Sequence, residues 1–191
     1  MSVSNRGLLL FAFFTLPVWG AEQVLQLTPQ NTSVYWTLTD PLHTVRGTFR
    51  IQPGTIHFDT ETGKAGGSVT VDVKSGESGS NARDSRMHEN VLESQKYPEA
   101  VFRPDRVEGK INPEGTSQLT LHGTLKIHGA EHEITMNAQT KMVAGKPEAD
   151  LAFDIPYVAW GMKDPSNFLL RVGKTVRVNI RTKPDVLPAG Q

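Results

Sequence analysis

Six histidines, a pair of nearby serines and an arginine-flanked aspartate are the residues of this chain with chemistry to offer. His128 and His132 sit close together with Glu131 and Glu133 alongside, and imidazole with carboxylate is a donor set for divalent metals. A two-residue turn between the two histidines would send them to opposite faces. His122 shares a strand face with His128 but lies ~20 Å from it by strand rise, too far for one ion. No denser group of ligand types gathers around His43, His57 or His88, so no metal is assigned. Ser78-Gly79-Ser80 falls in a link between elements and lacks the Gly-x-Ser-x-Gly elbow of a nucleophilic serine. Without cysteine there is no thiol chemistry. Asp84 beside Arg83 and Arg86 reads as a salt-bridged pair on an exposed helix. A guanidinium also pairs well with phosphate, which makes Arg83 a candidate head-group contact. No residue is assigned a catalytic role.

The elements that hold these residues are almost all strands. Val34, Trp36 and Leu38 alternate with polar neighbours, as do Val45, Gly47, Phe49 and Ile51, then Val69, Val71 and Val73. Period-two patterning describes a strand with one buried face. Ile56 and Phe58 resume the pattern after a turn at Pro53-Gly54. Leu119 to Ala138 reads as a hairpin; a two-residue turn at Gly129-Ala130 would set Leu125 opposite Ile134 and Lys126 opposite Glu133. An alternative loop of even length would keep the same faces, so the faces are firmer than the register. The final strand, Thr175 to Thr182, buries Val176, Val178 and Ile180. Many short strands with turns at close intervals become a sandwich or barrel. The expected fold is all-β: an antiparallel barrel of about eight strands, a size that can hold one elongated ligand, interrupted by one short helix at about 82–92.

That helix begins at Asn81, a capping residue type, and carries an apolar stripe of Met87, Val91 and Leu92. Tyr97-Pro98 ends it. Here the sequence resembles a known family. Arg83-Asp84-x-x-Met87-His88, followed by Lys96-Tyr97-Pro98-x-x-x-Phe102, is similar to the R-D-x-H-L … K-Y-P-x-x-x-F signature of the YceI-like polyisoprenoid-binding proteins, with the histidine displaced by one position. Val45-Arg46-Gly47-Thr48-Phe49 with Gly54-x-Ile56-x-Phe58-Asp59, and Leu121 to Gly129, resemble two further landmarks of that family. The resemblance spans roughly Val24 to Thr182. It implies a lipocalin-like barrel with an apolar cavity, a bound isoprenoid or similar amphiphile, and no enzymatic activity.

The physical case for such a cargo needs only a dry tube and a mouth, since each buried CH₂ contributes about 0.8 kcal/mol. Trp36, Phe49, Phe58, Val71, Phe102, Leu121 and Phe153 are the candidate lining; the same residues could equally fill a solid core. Tyr157 to Leu170 is apolar but breaks strand pattern at Gly161 and Pro165. Its Trp160, Met162, Phe168 and Leu169 make either a lid at the barrel mouth or a plug in its end, and Trp160 and Phe168 join the candidate ligand contacts.

Arg6, the apolar run Leu8 to Leu16, and the small residues of Pro17 to Ala21 have the layout of a secretory signal. The run is far short of the ~20 residues of a membrane span. The expected domains are a cleaved signal at 1–21, cut after Gly20 or Ala21, a lipid-binding barrel at 22–182 and a loose tail at 183–191. Twenty basic residues balance twenty acidic ones, which removes the basic excess expected of a nucleic-acid binder. The sequence therefore points to a periplasmic, non-catalytic binding protein without a resident cofactor. Its cargo would be a polyisoprenoid lipid, an isoprenoid quinone included. Transient partners would be the membrane or a membrane quinone or redox protein, with the oligomeric state, a dimer included, left open. The alternatives are a ligand-free structural or interaction barrel and a small periplasmic hydrolase or isomerase.

Overall fold

The computed structural model describes residues 22–40, 43–167 and 171–188. The expected signal at 1–21 and the loop residues Phe168 and Leu169 lie outside the described residues, as does the very end of the chain.

The alternating segments form eleven strands: β1 (Glu22–Leu27), β2 (Thr32–Thr39), β3 (Thr44–Ile51), β4 (Gly54–Asp59), β5 (Ala65–Glu77), β6 (Glu99–Glu108), β7 (Thr116–Ile127), β8 (Ala130–Val143), β9 (Lys146–Ile155), β10 (Val176–Thr182) and β11 (Asp185–Leu187). Eight of them close a ring in the order β5-β3-β2-β10-β9-β8-β7-β6, with β6 pairing back onto β5. Every pairing is antiparallel. The seam runs from Val69 opposite Phe102 to Asp72 opposite Glu99. Closure removes the free edges that an open sheet would expose.

The other three strands extend the ring at one end. β1 runs on into β2, β3 into β4, and β10 into β11, each with a break at the same level, so that β11-β1-β4 lies beside the first residues of β5. Each break contains a proline: Pro29, Pro53 or Pro184. Proline has no N–H to give to a ladder, so a row of them creases the sheet. Asn31 stitches the crease. Its Oδ1 accepts from the Thr28 N–H at 2.8 Å, its Nδ2 donates to the Gln26 carbonyl at 3.1 Å, and its own carbonyl accepts from the Lys183 N–H at 2.8 Å. Next to it the buried hydroxyls of Thr32 and Thr182 hydrogen-bond at 2.8 Å. Two expectations change here. Pro53-Gly54 is a kink within one long strand direction and not a hairpin turn, because Ile51 and Thr55 both pair onto β5. Asp185–Leu187, expected in a loose tail, pair with β1.

The β7–β8 hairpin keeps the expected faces but shifts register by two residues: Leu125 faces His132 and Lys126 faces Glu131. The turn residues are His128 (φ 51°) and Gly129 (φ 81°). A tight hairpin turn of the primed kind needs positive φ at both central positions, and Gly129 supplies one without strain. Gly129-Ala130 would have placed a Cβ-bearing alanine there.

Between β5 and β6 the chain forms α1 (Asn81–Arg86) and continues as one π-helical turn (Met87–Val91). Ser80, in extended conformation, occupies the capping position, and Asn81 is the first helical residue. The helix therefore stands at the barrel end opposite the crease, beside the seam, together with the β2–β3, β7–β8 and β9–β10 connections.

Candidate ligand-binding site

Inward-facing residues of a barrel alternate along each strand, and here they are nearly all hydrocarbon. They surround a cavity of about 1630 Å³ that runs from the helix end to the creased end. That exceeds the roughly 300–1,000 Å³ typical of small-molecule pockets. The twelve-residue β7 spans roughly 40 Å along its own direction, so the tube is ~30 Å tall at the usual barrel tilt.

The tube is open inside. Phe49, Val71, Leu121 and Phe153 point inward from the wall yet are only half-buried, and among the described residues no large side chain is completely sealed off. In a solid barrel of this length the mid-strand side chains would interdigitate at close-packed density. Gly47 contributes to the shape. An added Cβ there would overlap the Glu77 carbonyl oxygen and the Trp36 ring, so the bare glycine lets Trp36, 5% exposed, lie flat against the wall.

The structure brings together most of the residues chosen from sequence. Trp36, Phe49, Phe58, Val71, Phe102, Leu121 and Phe153 all border the cavity, and Arg83 stands at its helix-end mouth. Trp160 does not border it. Its ring stacks on His132, with centroids 4.0 Å apart and planes 7° from parallel, and packs against the core from outside the cavity. Its loop neighbour Met162, 3% exposed, does border the cavity, as do Lys163 and Asp164. The loop therefore borders the cavity with Met162 and stacks Trp160 on His132, at the inward-facing end of β8 but off the cavity lining. Phe168 lies outside the described residues.

The signature residues of the helix segment turn out to be fasteners. Arg83 donates from Nε to the Ser78 hydroxyl at 2.7 Å and from Nη2 to the Ser78 carbonyl at 2.9 Å. Asp84 accepts from the Ser78 N–H at 3.0 Å and from the Ser78 hydroxyl. Partial desolvation raises the Asp84 pKa, but the two Ser78 bonds, Arg83 and His88 outweigh it and hold the carboxyl below its ordinary range. His88 Nε2 meets the Gly76 carbonyl at 2.8 Å. Further on, His128 Nε2 lies 2.8 Å from Glu93 Oε2, and Tyr97 packs on the His128 ring. Together these contacts tie the helix to the end of β5 and to the β7–β8 turn. Asp84, His88, Tyr97 and His128 do not border the cavity. Met87, Val91 and Leu92, the expected apolar stripe, do.

The two mouths differ in charge. The helix-end mouth carries Arg83, Arg86 and Lys163 with His43, Asp40 and Asp164. Asp164 is held in its ionised form, first by the Ser166 hydroxyl and backbone N–H and then by Lys174 at 3.5 Å. Asp40 accepts from the His43 N–H at 2.7 Å. Among the described residues Arg86 and Lys163 form no ion pair, so this mouth is net positive. At the creased end Lys141 is the one charged lining residue among those described, and it pairs with Glu148 at 3.1 Å. The sequence reading missed Arg86 and Lys163, because unpaired charge at a mouth depends on which partners the fold supplies.

The histidines considered for metal chemistry disperse. His132 stacks on Trp160, His128 holds Glu93, and His122 Nδ1 lies 3.2 Å from the Thr135 hydroxyl. Among the described residues no group of three or more His, Cys, Asp or Glu side chains comes together.

The model of the YceI-like domain family matches residues 25–183. Among solved structures, BcnA from Burkholderia cenocepacia is similar with a TM-score of 0.66 at 16% identity, over 82% of this chain and 96% of that one. A polyisoprenoid-binding domain from Saccharophagus degradans is similar with a TM-score of 0.61 at 14% identity, over 86% of this chain and 99% of that one. A YceI protein from Campylobacter jejuni has a TM-score of 0.61 at 22% identity, over 78% and 89% of the two chains. At these identities the likeness is one of fold. No curated protein matches the sequence significantly.

Proposed function

The chain belongs to the YceI-like domain family, and from that premise we propose that it binds a polyisoprenoid or similar amphiphilic lipid without making or breaking a bond. The observation that carries this reading is the set of inward, half-buried hydrocarbon side chains around a tube of about 1630 Å³. Such a wall offers a polar solute little beyond the Trp36 indole N–H, which has no hydrogen-bond partner among the described residues, and a few hydroxyls near its ends. It offers an alkyl or isoprenoid chain about 0.8 kcal/mol per CH₂, so about twenty buried carbons contribute on the order of 15 kcal/mol. That offsets the estimated 4–15 kcal/mol cost of association. The solved polyisoprenoid-binding domain of the same fold is consistent with this cargo.

A head group belongs at the helix end, where Arg86 and Lys163 form no ion pair among the described residues. Arg83, bonded twice to Ser78, shapes that mouth. The apolar run that precedes Glu22 supports export and action in the periplasm, where the protein would store or carry its lipid between membranes. An isoprenoid quinone and its membrane enzymes are natural cargo and partners for that role.

Organic extraction of the purified protein followed by mass spectrometry tests the reading. A long-chain isoprenoid recovered in roughly stoichiometric amount is expected. An extract without lipid, together with no uptake of isoprenoid from detergent micelles, would leave a ligand-free structural barrel as the better account.

A further inference from the structure

Four large apolar residues are conspicuously exposed among those described: Tyr35 at 43%, Ile111 and Val143 at 42%, and Val186 at 41%. Three of the four collect at one place in the fold. Ile111 lies in the β6–β7 connection, Val143 at the β8–β9 turn and Val186 on β11, all at the creased end. β7 and β8 pair to the tips of their strands, Thr116 opposite Lys141, which sets the first two connections side by side. Ile111 and Val186 also border the tube, so two of the three exposed residues belong at once to the rim and to the cavity wall.

We infer that this apolar rim is a membrane-docking surface: the creased end rests on a lipid bilayer, and a cargo whose head group carries no charge passes there between bilayer and tube without dragging charge through the hydrocarbon lumen. The inference builds on the carrier reading above. Scattered apolar residues on a surface need no explanation, but a set confined to the mouth of a lipid-sized tube does. A water-insoluble chain leaving the tube must cross its rim, and an apolar rim pressed into the headgroup boundary keeps that passage dry. Exposed Lys110, beside Ile111, and exposed Lys146, beside the β8–β9 turn, are balanced by exposed Glu114 and Asp185, so the contact rests on the apolar side chains and not on charge. The charged mouth at the other end is a poor candidate for the same contact. β1 also begins at the creased end, so flotation is read separately on protein with and without the residues before Glu22.

Flotation with vesicles of phosphatidylethanolamine and phosphatidylglycerol tests the inference, using purified protein whose N-terminus is read by mass spectrometry. Wild-type protein lacking residues 1–21 should float with the vesicles. Ile111→Asp with Val186→Asp should reduce the floated fraction tenfold or more. Val143→Asp, outside the cavity lining, should reduce it severalfold while loading from detergent micelles stays unchanged. Tyr35→Asp, on the outer face of β2 and outside the cavity lining, should float normally. Equal flotation of the rim variants and the wild type would overturn the inference, as would equal loss in Tyr35→Asp, or flotation confined to protein that retains the N-terminal run. Failure of the wild type to load from micelles sinks the carrier reading alone, since docking is read from flotation.

Discussion

At the residue scale, Trp160 and Tyr157 show how one apolar loop divides its labour. Trp160 braces the barrel end against His132 without bordering the cavity. Trp160→Ala should therefore cost about 2–3 kcal/mol of stability and leave affinity for a long-chain isoprenoid within about twofold, as read by denaturant melts and a fluorescent-lipid titration. Strong loss of binding at unchanged stability would return Trp160 to the ligand. Tyr157 is 6% exposed and donates its hydroxyl hydrogen to the Gly173 carbonyl at 2.7 Å. Burial, and then the nearby Asp164 carboxylate, push its pKa up to about 12. An unfolded chain ionises tyrosine near pH ~10, so the folded state keeps this proton longer. The resulting stability is complete below about pH 10 and drains away as the pH climbs toward 12. Tyr157→Phe should be about 0.5–1.5 kcal/mol less stable at pH 8, and the gap should narrow at pH 11. A constant gap in melts at the two pH values would contradict a sequestered hydroxyl. The sequence made the apolar character of this loop plain. It could not say that His132, twenty-eight positions away on β8, is what Trp160 touches.

At the element scale, the inward faces of the ring were legible strand by strand because side-chain parity is local. Val34, Trp36 and Leu38, or Ile134, Met136 and Ala138, need only their own neighbours to declare a face. The two-residue register shift of the β7–β8 hairpin was invisible to the same logic, since it preserves every face. The crease was hidden for a different reason. Its key contacts join Asn31 and Thr32 to Thr182 and Lys183, partners that only the closed ring brings together. Asn31→Ala keeps the backbone bond from Lys183 but removes the side-chain bonds to Thr28, Gln26 and Asp185 that hold the β1–β2 bend against β11, so it should cost about 1–3 kcal/mol. Amide exchange should quicken in β1 and β11 and stay slow in β7 and β8, because stability is local to such units. Uniform acceleration across the barrel would mean that the crease is not a separable element. The helix segment adds a related lesson. Arg83, the one head-group candidate the sequence offers there, stands at the mouth and also bonds Ser78, while Asp84 and His88 spend their hydrogen bonds on Ser78 and Gly76. Sequence spacing showed that these residues act together without showing on what.

At the scale of the whole molecule the question is whether the wall encloses space or substance, and no periodicity can answer it: an inward valine looks the same in either case. The distinction makes opposite predictions for one substitution. Ala138 sits mid-wall on β8, opposite Leu119 and Leu151, and borders the tube. In a solid core, Ala138→Phe would overpack and cost about 1–3 kcal/mol. Ala138 is 5% exposed, its methyl covered by those neighbours. In an open tube, however, the longer Phe side chain reaches past them into the cavity and gains apolar burial, so the unliganded protein should melt at an unchanged or higher temperature. The ring then occupies room that about four methylenes of a long chain would fill. At about 0.8 kcal/mol each, affinity for that chain should fall by about 3 kcal/mol, or roughly a hundredfold. A chain short enough to stop before mid-wall should bind nearly as before. Stability and binding thus move in opposite directions, a pairing that neither general damage nor a filled interior produces. Calorimetry on the unliganded variant with titrations of a long and a short isoprenoid reads both. A variant that melts early while binding the long chain normally would show that Ala138 faces packed protein and that the cargo lies elsewhere.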